Sequence, residues 1–277
     1  MITAVENEKG GVGKTSTCMH LSGALAKLGQ TVLLIDFDPQ ASLTKGLLGP
    51  AATDALPVED TIAGVLAGLA NGRLGVRPLA ELARPSGIDG VGIIPGSKGL
   101  IAFDNPAPES IPGDFLRRFK GWLRQSRADQ LLIDGTPRLT GLAWIAMAVA
   151  DGLVVPVQPE DYGAQGILPV QEFLGRVRAR VNPDLALYGY LITLIMAREA
   201  DHRDFAHDLR EAYGSEVFPT AMPRAVAFRN ALAERSPVSH SEPKSPAAMA
   251  MDRIAGELLA RQVAAVVLRR REEVARG

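Results

Sequence analysis

The 277-residue sequence predicts an α/β protein, a mainly parallel twisted sheet with helices on both faces. Three observations lead there. Short apolar runs alternate with stretches whose apolar residues recur at three- and four-residue spacing, the order that builds βαβ units and so parallel strands. The apolar content, 47% of the chain, is mostly Ala, Leu, Val and Ile, and aromatics make up only 5%. That mix suits helices packed on a buried sheet better than two stacked sheets. Finally, a glycine-rich loop, Lys9-Gly-Gly-Val-Gly-Lys14-Thr15, stands between the first apolar run and the first amphipathic stretch.

The elements follow in order. Ile2 to Val5 reads as a buried strand feeding the glycine loop. Cys18, Leu21, Leu25 and Leu28 mark a helix that stops at Gly29. Thr31-Val-Leu-Leu-Ile35 is the next strand, with Asp36 at its carboxyl end. Val91-Gly-Ile-Ile94, Leu131-Leu-Ile133, Leu153-Val-Val155 and Leu187 to Ile195 supply further strands, and Val217-Phe218 a short one. Leu139, Leu142, Ile145 and Val149 mark a helix. Ile167, Val170, Leu174, Val177 and Val181 mark another, ended by Asn182-Pro183. The stretch from Gly46 to Gly90 reads as short helices and loops, and Pro106, Pro108 and Pro112 punctuate a second loop region. Ser245 and Pro246 read as the cap and first residue of a last helix. Without repeats or a long linker, residues 1–277 read as one domain, with about 262–277 as an extended or frayed helical end.

Composition excludes several function classes. The single cysteine, Cys18, cannot form an internal disulfide and fits a reducing compartment. No apolar segment reaches the roughly 18 residues of a membrane span, and no leader pattern opens the chain, so a cytoplasmic location is expected. The formal net charge is −1, which leaves any nucleic-acid binding to a local patch. His20, His202, His207 and His240 are scattered and show no metal-ligand spacing with Cys18.

The glycine loop carries the chemistry. Backbone N–H groups can approach phosphate oxygens only where side chains are out of the way, and Gly10, Gly11 and Gly13 provide that freedom. Lys14 would reach the β- and γ-phosphates, Thr15 would ligate Mg²⁺, and the helix that starts there points its positive end at the anion. The general phosphate-loop pattern is not fully met, because Glu8 holds its first glycine position. The tighter pattern K-G-G-x-G-K-T is met in full.

With its second lysine ahead of the glycines, the loop resembles the deviant Walker A loop of the ParA/MinD group of P-loop ATPases. Asp36-Phe-Asp38-Pro39-Gln40-Ala-Ser42 is similar to the D-x-D-P-Q segment of ParA-type partition ATPases, where MinD-type proteins differ. Leu131-Leu-Ile-Asp134-Gly-Thr-Pro137 resembles a Walker B segment. Val155-Pro-Val-Gln158-Pro159-Glu160 and Met222-Pro223-Arg224 look ParA-like as well, so the resemblance spans about residues 1 to 260. One departure stands out: the family often has D-x-P-P, and here Arg138 follows Pro137. Arg138 reads as a solvated loop residue; the other reading is a changed switch with an altered partner response.

The resemblance implies ATP and Mg²⁺ as cofactors, with Lys9, Gly10, Gly11, Val12, Gly13, Lys14, Thr15 and Ser16 around the phosphates and Pro223 and Arg224 near the adenine. It implies that Lys9 reaches across a dimer interface, so Lys9, Lys14 and Asp38 form the catalytic set. Asp38 is placed to orient the attacking water, and Thr15, Asp134 and Asp38 to hold the metal. Asp36 would hold the loop or the metal's outer shell. Arg198, Arg224 and Arg229 lie in loops the family uses for DNA. Arg176, Arg178 and Arg180, like Arg269 to Arg271, read as solvated charges.

The function implied is an ATP-driven positioning ATPase: a homodimer formed with ATP, non-specific DNA binding on the nucleoid, and a ParB-like or cargo-adaptor activator. Plasmid, chromosome and protein assembly stay open as cargo. The alternative is a MinD-like membrane-surface ATPase using the tail around Val263 to Arg271, against which Glu272, Glu273 and the Asp38-Pro-Gln segment argue. Metabolic ligases and reductases share the loop, although one cysteine cannot hold an iron–sulfur cluster with the usual four thiolates. With a strand starting at residue 2, an N-terminal helix-turn-helix is not expected.

Overall fold

The computed structural model describes residues 1–72, 76–104, 107–159 and 167–276. Glu160, the last residue of the 155–160 segment above, lies outside them. The described residues form one seven-stranded sheet: β1 (Ile2–Val5), β2 (Val32–Asp36), β3 (Arg84–Ile88), β4 (Val91–Ile94), β5 (Gln130–Asp134), β6 (Gly152–Val157) and β7 (Ala186–Ile192). The spatial order is β3-β4-β2-β5-β1-β6-β7. Every pairing is parallel except β3 with β4. The four strands β1, β2, β5 and β6 are buried along their whole length, which is why they read as continuous apolar runs rather than alternating ones.

Each face of the sheet is covered. On one side Ile62–Ala70, Gly113–Leu123, Gly141–Val149, Leu168–Arg180 and Ala200–Tyr213 pack against Ala4, Ile35, Ile133 and Val155. On the other, Lys14–Lys27, Ser42–Leu48, Val226–Ala233 and Pro246–Arg276 cover Val5, Leu34, Leu132 and Val154. The expected two-sided α/β architecture is therefore present.

Local chemistry ends the elements where the sequence indicated. The first helix closes with Gly29 at φ 80°, its N–H donating to Ala26 and that of Gln30 to Leu25, the paired bonds of a left-handed glycine stop. The last helix, Pro246–Arg276, begins at Pro246, and the Ser245 hydroxyl accepts from the Ala248 N–H at 3.1 Å. It runs as one helix to Arg276.

Two readings need correction. The Gly46–Gly90 stretch holds short helices as expected but also β3, an antiparallel edge strand with a register shift between Pro85 and Ile88. Proline is tolerated there because the strand has only one neighbour. Val217-Phe218 is not a strand: Val217 makes a single parallel bridge to Tyr190.

Candidate functional site

The carboxyl ends of β1, β2 and β5 lie side by side, in register Val5 with Asp134 and Asp36 with Asp134. Open α/β sheets bind ligands at such strand ends. Leaving β1, the chain is shaped by Asn7, whose side-chain amide donates to the Pro156 carbonyl (2.7 Å) while its oxygen accepts from the Lys9 N–H (3.0 Å). Gly11 and Gly13 then take φ of 80° and 86°, a left-handed backbone that a side chain would oppose. Val12 between them is buried, and its carbonyl accepts from the Thr193 hydroxyl at 2.8 Å, pinning the loop to the end of β7.

Lys14 opens the first helix and is only 6% exposed. Its ammonium donates to the carbonyls of Lys9 (2.6 Å) and Asn7 (3.0 Å), inside the curl of the loop. Burial lowers its pKa, an effect opposed by Glu6, Asp134 and Asp38. Lys9 is exposed.

A cavity of about 300 Å³ is lined by Gly10, Gly11, Gly13, Lys14, Thr15, Ser16, Asp38, Ser42, Gly135 and Pro137. Most of the predicted phosphate-loop residues thus meet Asp38 around one space; Val12 faces the core and Lys9 does not line it. Asp38 is half-buried and accepts from the Gln40 N–H at 2.8 Å. Asp36 is fully buried and accepts from the Thr44 N–H (2.8 Å), the Thr44 hydroxyl (2.6 Å) and the Asp38 N–H (3.1 Å). These bonds tie the Asp38 turn to the start of the Ser42–Leu48 helix. Burial pushes the Asp36 pKa up to about 6. Ala41, at φ 53°, turns the chain into the Ser42–Leu48 helix in a conformation costly for a residue with a Cβ.

Asp134 is fully buried, and among the described residues neither carboxylate oxygen has a hydrogen-bond partner. Burial raises its pKa strongly, and Asp36 adds to the rise. Two orphaned acceptors beside a lysine and a threonine fit a hard divalent cation that prefers oxygen ligands. Glu6 was not singled out from sequence. It too is fully buried, with both oxygens unpartnered among the described residues, and its pKa is raised by burial, against the pull of Lys14. The available signal was an acid directly after an apolar strand, facing a glycine: a Cβ on Gly135 would fall 2.1 Å from the Glu6 Cδ.

A second cavity, about 390 Å³, is lined by Ser16, Leu194, Met222, Arg224, Ala225, Val226, Phe228, Arg229 and Leu232. It shares Ser16 with the first. Arg224 is therefore brought to the site, whereas Pro223 lines neither cavity and instead bridges to Ile195 through its backbone. Arg229 sits in the Val226–Ala233 helix and not in a loop, a correction that comes from the helix-compatible run around Phe228 and Ala231. Arg198 lies exposed in a turn and lines neither cavity.

Other arginines are largely exposed, as expected, and several also make specific contacts. Arg176 pairs with Glu109 and lies over the Phe173 ring, Arg178 donates to the Leu185 carbonyl, and Arg269 to that of Asp184. Arg138 is held by Asp104. His20 and His202 accept backbone N–H bonds from Val238 and Met196, which accounts for both without a metal.

A glycine loop between a parallel strand and a helix, a buried lysine inside it and an acid at a neighbouring strand end define a P-loop nucleotide-handling domain. The AAA_31 family model, an AAA domain, matches residues 1–187. The chain is 35% identical over 258 residues to the chromosome-partitioning ATPase Soj of Thermus thermophilus, covering 93% of this chain and 95% of that protein. It is 31% identical over 265 residues to the chromosome partitioning protein ParA of Caulobacter vibrioides, covering 94% of each. Among solved structures, a cobyrinic acid a,c-diamide synthase from Mycobacterium smegmatis with bound ADP and magnesium superposes with a TM-score of 0.74 at 30% identity, over 93% of each chain. The chain belongs to the ParA/MinD-type P-loop ATPases.

Proposed function

We propose that this protein is an ATP-driven positioning ATPase that dimerises around ATP, binds DNA without sequence preference and releases it when a cargo-bound partner stimulates hydrolysis. The observation that carries the reading is the cavity in which Lys14, Thr15 and Asp38 converge, with the buried carboxylate of Asp134 close to all three. ATP and Mg²⁺ are its cofactors. Thr15 and Asp134, with Asp38 beside them, are the residues to hold Mg²⁺, which would offset phosphate charge. The N–H groups of the loop from Gly10 to Ser16 cradle the phosphates, and Lys14 exchanges its two carbonyl partners for phosphate oxygens. Asp38 orients the attacking water. The apolar walls of the second cavity, Leu194, Met222 and Phe228, suit a purine, with Arg224 at its edge. The exposed Lys9 would serve a second protomer's phosphates.

Exposed Arg198, Arg224 and Arg229 are the proposed DNA contacts. Duplicating a small patch across a two-fold dimer doubles the phosphates it can neutralise, which a chain of net charge −1 needs. Among the described residues no helix is long and apolar enough to cross a membrane. The exposed Val263, Val267 and Leu268 on the last helix keep the membrane-surface alternative testable. Sedimentation with duplex DNA and with anionic vesicles, each in ATP and in ADP, tests the reading. Binding to DNA only in ATP supports it; equal DNA binding in both nucleotides, or vesicle binding alone, overturns it.

A further inference from the structure

β5 runs out of the buried Asp134 into residues 135–140, and both ends of that segment are fastened against buried carboxyl groups. At its start Gly135 donates its N–H to the Val5 carbonyl (3.1 Å) and lies directly over Glu6. At its end, the Arg138 guanidinium and the Thr140 hydroxyl both donate to Asp104. The Asp104 side chain is 4% exposed, although that of Arg138 is 68% exposed.

Thr140 is the residue preceding the Gly141–Val149 helix, where a threonine hydroxyl ordinarily accepts from a helix N–H. Here it makes no such bond and turns to Asp104 instead. The local capping bond has been given up for a contact 36 residues away in the chain. That contact also sets the Asp104 charge by the N-terminal end of the helix, the end that favours an anion. Between the fastenings, the Thr136 hydroxyl donates to the Arg138 carbonyl (2.8 Å), and Pro137 joins Gly135 in lining the cavity of about 300 Å³. The segment is thus a short, doubly tied wall of the phosphate cavity. Its far tie is a single carboxylate.

We propose that Asp104 is a positioning residue for the ATPase site, fixing through Arg138 and Thr140 the wall that Gly135 and Pro137 present to the terminal phosphate and its attacking water. The inference rests on the nucleotide reading of the cavity. Asp104 touches no reacting atom, so its loss acts on alignment and leaves the glycine loop and Lys14, which carry affinity, in place. It also gives Arg138, solvated as the sequence suggested, a fastening role in this chain.

The test uses the full chain with Arg138→Gln, Asp104→Asn, Thr140→Val, Thr140→Ser and the double variant Asp104→Asn/Arg138→Gln. Amide hydrogen exchange in 135–140, measured without nucleotide, is expected to speed up in every variant except Thr140→Ser. With MgATP, kcat is expected to fall about tenfold in Arg138→Gln and in Asp104→Asn, and by about the same factor in the double variant, because one contact is being removed twice. The Kd for a fluorescent ATP analogue is expected to stay within about twofold of wild type, and Thr140→Ser to keep the wild-type rate. Arg138→Gln alters only the exposed partner, so it keeps the test alive if Asp104→Asn fails to fold. Unchanged exchange, multiplicative losses in the double variant, or a loss of affinity matching the loss of kcat would overturn the inference. A wild-type chain that binds no ATP would overturn the nucleotide reading instead, and the exchange data would still decide whether Asp104 fastens the segment.

Discussion

Gly135→Ala is the most direct test of how the two buried acids are packed. The added Cβ would lie 2.1 Å from the Glu6 Cδ and 2.1 and 2.3 Å from its two oxygens. Ordinary contact begins near 3.4 Å, so the carboxyl must move by more than an ångström. Glu6 is fully buried, and it has no empty solvent to swing into. Overpacking of this kind costs about 1–3 kcal/mol. At roughly 3 °C per kcal/mol for a chain of this size, that is a fall in Tm of about 3–9 °C. Glu6→Ala removes the colliding atoms, so the double variant Gly135→Ala/Glu6→Ala should recover most of what Gly135→Ala loses relative to Glu6→Ala alone. Urea unfolding of the four proteins closes the cycle. Simple additivity of the two single losses would refute the contact.

Four further outcomes are expected. Lys14→Ala should abolish nucleotide binding in calorimetry, since the loop loses its buried cation; near-normal affinity would sink the assignment of the loop. Lys9→Ala should bind nucleotide as a monomer yet give no ATP dimer in light scattering, and Asp38→Ala should give a dimer that forms and persists because hydrolysis is slowed; a stable Lys9→Ala dimer, or unchanged Asp38→Ala turnover, would remove those roles. Arg198→Ala or Arg229→Ala should weaken DNA binding and flatten its salt dependence by about one or two contacts per dimer. His20, whose pKa burial lowers to about 4 against an ordinary 6.5, takes up its proton more readily unfolded. Its contribution is therefore full above about pH 6.5 and is lost as pH falls toward 4. The stability difference between wild type and His20→Gln should shrink across that window, and a constant difference would contradict it.

Much of this site was legible because its chemistry is local. The glycine loop, Asp36 and Asp134 all stand at the ends of apolar runs, where strand, loop and helix signals agree. What escaped the sequence was set by distant partners. Arg84-Pro85-Ser86-Gly87-Ile88 has neither alternation nor an apolar run, and it is a strand only because β4 offers it an edge. The Ala200–Tyr213 helix buries little more than His202, Ala206 and Leu209 within a charged stretch, too thin a stripe to stand out. Glu6 and Asp104 each matter through a residue more than thirty positions away, and no spacing rule relates such pairs.

The order of the chain also has a consequence for its synthesis. The helix that begins at Lys14 rests its apolar face, with Cys18, Leu21 and Leu25, on Met251, Ile254 and Leu258 of the last helix, and Gln262 donates to the Thr3 hydroxyl across 259 residues. The phosphate loop leaves the ribosome long before this part of its cover. At about 5–20 residues per second the interval is roughly 13–50 s. Throughout that time the side of Cys18, Leu21 and Leu25 that the last helix will cover faces water, or a chaperone, even once their other neighbours Val5 and Leu34 on the sheet have been made.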